Sequence, residues 1–67
     1  MTGDIASLIE QHRGGMTVKC LSEITGIASP TLYAMARDNR IPAVKVSTRV
    51  IFDPAKVAAW WRSKEAA

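Results

Sequence analysis

Cysteine is nearly absent from this chain: Cys20 stands alone among 67 residues, and His12 is the one histidine that could join it. No internal disulfide can form, and the two side chains fall short of a structural zinc set. Long apolar runs are missing too. None approaches the ~18 to 20 residues of a membrane span, and the N-terminus lacks a signal-peptide pattern. These absences point to a soluble protein of a reduced, cytoplasmic compartment. Enzyme signatures are equally scarce. His12 lies next to Gly14-Gly15 with no carboxylate or second thiol held beside it, no glycine-rich phosphate loop follows a strand, and no motif pairs carboxylates for acid–base work. A chain this short also has little room to enclose a substrate. No catalytic residue, metal or cofactor is expected. Repeats and low-complexity tracts are lacking as well, so the length allows one small core, near the lower limit for folding without staples.

Charge of one sign is unevenly present. The formal net charge is +3. Residues 1–36 set Arg13 and Lys19 against Asp4, Glu10 and Glu23, and residues 53–67 set Lys56, Arg62 and Lys64 against Asp53 and Glu65. The excess sits between them, where Arg37, Arg40, Lys45 and Arg49 face only Asp38. Such clustering is the footprint of a polyanion binder, or of a solvated basic face.

Periodicity divides the chain. "DIASLIEQH" (residues 4–12) places Ile5, Leu8, Ile9 and His12 at helical spacing, and Arg13-Gly14-Gly15 ends that helix as a hinge. Thr17 is a suitable N-cap for a second helix reaching Thr25, with Val18, Leu21 and Ile24 on one face. Gly26 closes it, and Ile27 plugs the turn beneath. Ser29 then caps a third helix with Pro30 in its first position, where a missing N–H costs nothing. Leu32, Met35 and Ala36 form the buried stripe of that helix, with Tyr33 at its edge. Asn39 suits a left-handed terminator, and Pro42 forbids continuation. Two short helices joined by so tight a turn make a helix-turn-helix, whose second helix can be offered to a DNA groove.

From Ala43 to Phe52 the period changes to two. Val44, Val46, Val50 and Phe52 share the core face if Val46 pairs with Val50 across a Ser47-Thr48-Arg49 loop, which turns Ala43, Lys45 and Ile51 outward. A lone hairpin is too small to stand by itself, so it must pack on the helices. Asp53-Pro54 starts a last helix whose apolar side holds Val57, Trp60 and Trp61. Trp60 is expected in the core. The resulting fold class is mainly α with a small β-hairpin: helix, helix-turn-helix, two-stranded antiparallel wing, C-terminal helix. Residues 1–15 form an appended helix and hinge, and residues 16–67 the winged domain.

In that order, "MTVKCLSEITGIASPTLYAMARDNRIPAVKVSTRVIFDPAKVAAWW" resembles the MerR-like winged helix-turn-helix of small excisionases and AlpA-type prophage regulators. Thr17, Val18, Gly26, Thr31, Tyr33, Arg37, Pro42, Lys45, Val46 and Trp60 fall at the family's pattern positions. The resemblance runs ungapped over residues 16–62. Four positions depart from it: Cys20 stands where the family favours Glu, Ser22 where it favours Ala, and Asn39 and Ser47 where it favours Gly.

With the buried stripe of the third helix fixed, Ser29, Pro30, Thr31, Ala34 and Arg37 are left outward. Recognition helices enter the major groove with their N-terminal residues nearest the base edges. Thr31 can hydrogen-bond a base or present its methyl to thymine, and Ala34 permits close approach. Ser29 and the helix start suit a phosphate oxygen. Tyr33 is open to two readings, a phosphate donor or an edge-of-core residue. Arg37 reaches a base or the backbone, and Arg40 is the best phosphate candidate outside the helix. Lys45 faces away from the core, and Thr48 and Arg49 form the wing tip. The resemblance implies that the wing enters the minor groove through Arg49, where the potential is most negative. Lys56, Arg62 and Lys64 are expected as solvated surface, Cys20 as an inert half-buried thiol, and His12 as a surface residue.

A MerR-type sensor needs a long dimerisation helix and effector site after the winged domain, and the chain ends soon after Trp61. Three DNA-binding roles remain, and a binding domain with nothing attached can act only by occupying, bending or recruiting. An excisionase that bends DNA to direct an integrase does all three and comes first, with a small prophage transcription regulator or a phage packaging module as alternatives. A protein-interaction module that never touches nucleic acid is the alternative from another class. The expected partners are double-stranded DNA, an integrase and further copies of the chain, within the cytoplasm of a bacterial host and on its nucleoid.

Overall fold

The computed structural model describes residues 4–66, the last of them by its backbone only. In chain order the elements are α1 (Ile5–Glu10), β1 (Met16–Thr17), α2 (Val18–Thr25), α3 (Ser29–Arg37), β2 (Val44–Val46), β3 (Arg49–Phe52) and α4 (Pro54–Ala66). The four helices and the hairpin fall where the periodicity of the sequence puts them. One element is additional. Met16–Thr17 pairs antiparallel with Phe52 and Ile51, so the sheet has three strands in the order β1-β3-β2.

The helix boundaries have identifiable chemical causes. The Asp4 carboxylate accepts from the Ser7 N–H at 2.8 Å and caps α1; the same bond holds the Asp4 pKa below the usual carboxylate range. The Thr17 hydroxyl accepts from the Cys20 N–H at 3.2 Å and caps α2, and Gly26 closes that helix at φ 79°. The turn that follows is stapled by side chains. Ser22 donates its hydroxyl to the Ile27 carbonyl at 2.6 Å, while the Thr25 hydroxyl accepts from the Ile27 N–H at 3.2 Å. Ser22, which departs from the family pattern, therefore ties the crossing of the two helices.

Ser29 does not cap α3. Ala28 is the N-cap residue and no side-chain bond is made there, so Ser29 opens the helix and Pro30 takes its second position. The proline still fits, because N–H groups throughout the first turn lack helical partners. At the other end, Asn39 adopts φ 57°. Its N–H donates to the Ala36 carbonyl at 3.2 Å, and that of Arg40 to Met35 at 2.8 Å. This is a Schellman closure with Asn in glycine's usual place.

The hairpin register differs from the one expected. Val46 pairs with Arg49, Lys45 with Val50 and Val44 with Ile51, so the turn is Ser47-Thr48 and not a three-residue loop. Ser47 makes this possible by taking φ 56°. A register slip of one residue moves a strand's side chains to the other face. Val44 and Val46 consequently stand 55% and 56% exposed, Ala43 turns half-buried against the core, and Lys45 shares a face with Val50 and Phe52. Ile51, expected outward, is half-buried beneath Gly15, where an added Cβ would lie 2.5 Å from its Cγ2.

One hydrophobic cluster unites all the layers: Ile9, Met16, Leu21, Leu32, Ala36, Ile41, Phe52 and Val57 are buried within it, and Trp60 and Trp61 are half-buried against it. α1 packs chiefly on α4. Arg62 is not free surface, since it donates twice to Glu10, at 3.0 and 3.2 Å, and ties the two helices. That bond and the charge of Arg62 hold the Glu10 pKa below its ordinary value. His12 is half-buried and places Nδ1 3.7 Å from the Cys20 sulfur, so it is not simply a surface residue.

Candidate nucleic-acid interface

Burying Leu32 and Ala36 fixes the rotation of α3. Pro30, Thr31, Tyr33 and Arg37 are thereby exposed, whereas Ser29 and Ala34 are half-buried. Tyr33, which had two readings, is 52% exposed and so is not a core residue. The wing comes to the same side. Tyr33 and Arg37 from α3 line one groove, of about 270 Å³, with Lys45, Thr48 and Arg49 from the hairpin. The register explains Lys45: pairing with Val50 aims it toward α3 and not away from the domain.

Not every candidate joins this groove. Ser29, Pro30 and Thr31 at the start of α3, and Ala34 just past its middle, lie outside its walls, and Arg40 borders a separate hollow with Asn39, Pro42 and Trp60. Lys19, which the sequence did not single out, lies in an adjoining notch with Tyr33, Thr48 and Arg49. Its signal was faint. It sits two residues after the Thr17 cap, and β1 is too short to announce that this point meets the wing.

The electrostatics suit an anion. Arg37 pairs with its neighbour Asp38 at 3.3 Å, but both side chains are largely in water, so the pair is weak and the guanidinium can exchange partners. Lys19, Arg40, Lys45 and Arg49 make no ion pair among the described residues. No group of three or more metal-ligating side chains occurs among those residues either.

A family profile described as a helix-turn-helix domain matches residues 16–65. The chain belongs to the helix-turn-helix domain family. Its α2–Gly26–α3 unit is thus the helix-turn-helix, within a DNA-binding protein, and the β2–β3 hairpin is its wing. Searches of curated proteins and of solved structures return no significant match. The matched residues begin at Met16, after α1, which packs on α4. No described helix is long and apolar enough to cross a membrane.

Proposed function

We propose that the protein binds double-stranded DNA sequence-specifically as an excisionase of a phage or mobile element, bending its site to direct an integrase. The observation that supports binding is the shared groove, in which Tyr33 and Arg37 of α3 face Lys45, Thr48 and Arg49 of the wing. A helix and a hairpin so disposed can straddle one phosphate ridge, with α3 in the major groove and the wing tip in the minor groove. Thr31 and Ala34 then meet base edges, while Ser29 and Pro30 place the helix start at a phosphate. Arg37 and Arg40 hold the backbone on either side, and Arg49 senses minor-groove width. The excisionase assignment rests on the resemblance of residues 16–62, which extends equally to AlpA-type regulators. In this reading residues 16–67 are the binding unit, residues 1–15 an accessory to it, and the work is binding and bending without catalysis. It acts on the nucleoid, in the bacterial cytoplasm.

Circular-permutation gel shifts on a selected site test the bending role, followed by a search for an adjoining integrase gene and in vitro excision with its product. A position-dependent mobility and integrase-dependent excision are expected. Binding without a bend and without an effect on excision would reassign the protein as a transcription regulator.

A further inference from the structure

The notch beside the wing tip shares Tyr33, Thr48 and Arg49 with the groove above, but Lys19, which it adds, has no role in that reading. Three elements meet there: Lys19 from the first turn of α2, Tyr33 from α3, and Thr48 and Arg49 from the hairpin. The sheet explains the meeting. β1 pairs with β3 through Met16 with Phe52 and Thr17 with Ile51, so the chain enters α2 just where β3 runs back toward the turn through Val50 and Arg49. Lys19 is thereby brought beside residues about 30 positions later in sequence. Both cations are exposed, and neither makes an ion pair among the described residues. Two like charges lining one notch repel each other, and an anion seated between them removes that cost. Tyr33 lines the same notch from α3, and a phenol hydroxyl can donate to an anion held there.

We propose that this notch holds a single backbone phosphate of bound duplex DNA, clamped between Lys19 and Arg49 with the Tyr33 hydroxyl donating to it. The proposal rests on the DNA-binding reading and adds a contact from α2, so that all three parts of the winged domain grip one phosphodiester. The ligand is a monoanionic tetrahedral phosphate, which free inorganic phosphate could imitate. The joint presence of three elements around it would fix the angle between α3 and the wing on DNA.

Methylphosphonate scanning tests this. A duplex carrying the selected site is made with one neutral methylphosphonate at each backbone position in turn, and each is titrated with the parent, Lys19→Ala, Lys19→Arg, Tyr33→Phe and Arg49→Ala. The parent should lose affinity at one position beside the wing, and Lys19→Ala should become indifferent to that position. Lys19→Ala should also bind unmodified DNA roughly eightfold more weakly at 0.1 M salt, with a salt slope about one unit shallower, as loss of one phosphate contact requires. Arg49→Ala and Tyr33→Phe should lose sensitivity at the same position, and Lys19→Arg should keep it. Lys19→Ala matching the parent at every position would overturn the clamp, as would Lys19 and Arg49 reporting different phosphates. Titration of the parent with inorganic phosphate separates the sources: competition at millimolar phosphate would show a free-anion site and not a DNA clamp. A parent that binds no duplex at all would remove the DNA-binding reading and the clamp together.

Discussion

Thr31 and Arg49 are both exposed, yet their environments differ, and so should the consequences of removing them. Thr31 lies on the N-terminal half of α3 outside the basic groove, so Thr31→Ala should act at one or two base pairs. The expected cost is about 1–3 kcal/mol on the preferred site with little change on scrambled DNA. Arg49→Ala should weaken both DNAs and reduce the salt slope by about one unit. Titration of each variant on the two duplexes, with circular dichroism to verify folding, decides the matter; an Arg49→Ala protein that binds like the parent would leave the wing as a core cover only. Backbone conformation offers a second residue-scale check. Gly15 lies so close to Ile51 that Gly15→Ala should cost about 1–3 kcal/mol in chemical denaturation. Combining it with Ile51→Ala, which removes the crowding methyl, should cost less than the two single losses together. Ser47→Gly should do the opposite of Gly15→Ala, since it relieves a left-handed serine worth roughly 1 kcal/mol of strain.

α1 tests how an element outside the helix-turn-helix match serves the whole. Ile9 is fully buried in the common core and Glu10 is tied to Arg62 of α4. Removing residues 1–12 should therefore lower the denaturation midpoint, with the burial of Ile9 alone contributing about 1.5–3 kcal/mol, while base preference stays unchanged. An unaltered midpoint with lost cooperativity on DNA would assign α1 to contacts between protomers. The Glu10–Arg62 tie also predicts a pH dependence. Glu10 has a lowered pKa in the fold, so its contribution is present above the ordinary glutamate pKa and fades as the pH falls through the lowered one. The difference in stability between parent and Glu10→Gln should accordingly close on acidification, and a constant difference would deny the bond a role. Other elements show where sequence patterns stop. Helical spacing located α2, α3 and α4, because buried residues such as Leu21, Leu32 and Val57 recur with the turn of the helix. The hairpin was legible as strands but not in register. Val44, Val46 and Val50 suggested one apolar face, and the outcome depended on whether Ser47 would accept a positive φ, which composition does not disclose. β1 was invisible for a related reason: two residues have no period.

At the scale of the whole molecule, charge and fold converge on one side. The basic excess between residues 37 and 52 was legible from composition, and the tight turn at Gly26 from helix-capping chemistry. Two aspects of the candidate site were not, since both come from tertiary placement: Lys19 arriving beside the wing tip, and Arg40 bordering the hollow of Trp60 instead of the groove. What remains is a basic surface on which Lys19, Arg37, Lys45 and Arg49 approach from α2, α3 and the two strands of the hairpin, with Arg37 held only by a weak pair to Asp38. Such a surface should bind duplex DNA largely by displacing counterions. The salt dependence of that binding is the most direct test of the central claim, measured by fluorescence anisotropy on a selected and a scrambled duplex across about 50 to 300 mM monovalent salt. With three or four phosphates neutralised, log K should fall against log salt with a slope of about −3 to −4 per protomer on the selected duplex, with tighter binding to it than to the scrambled one. A slope near zero, or no binding at the lowest salt, would contradict the account.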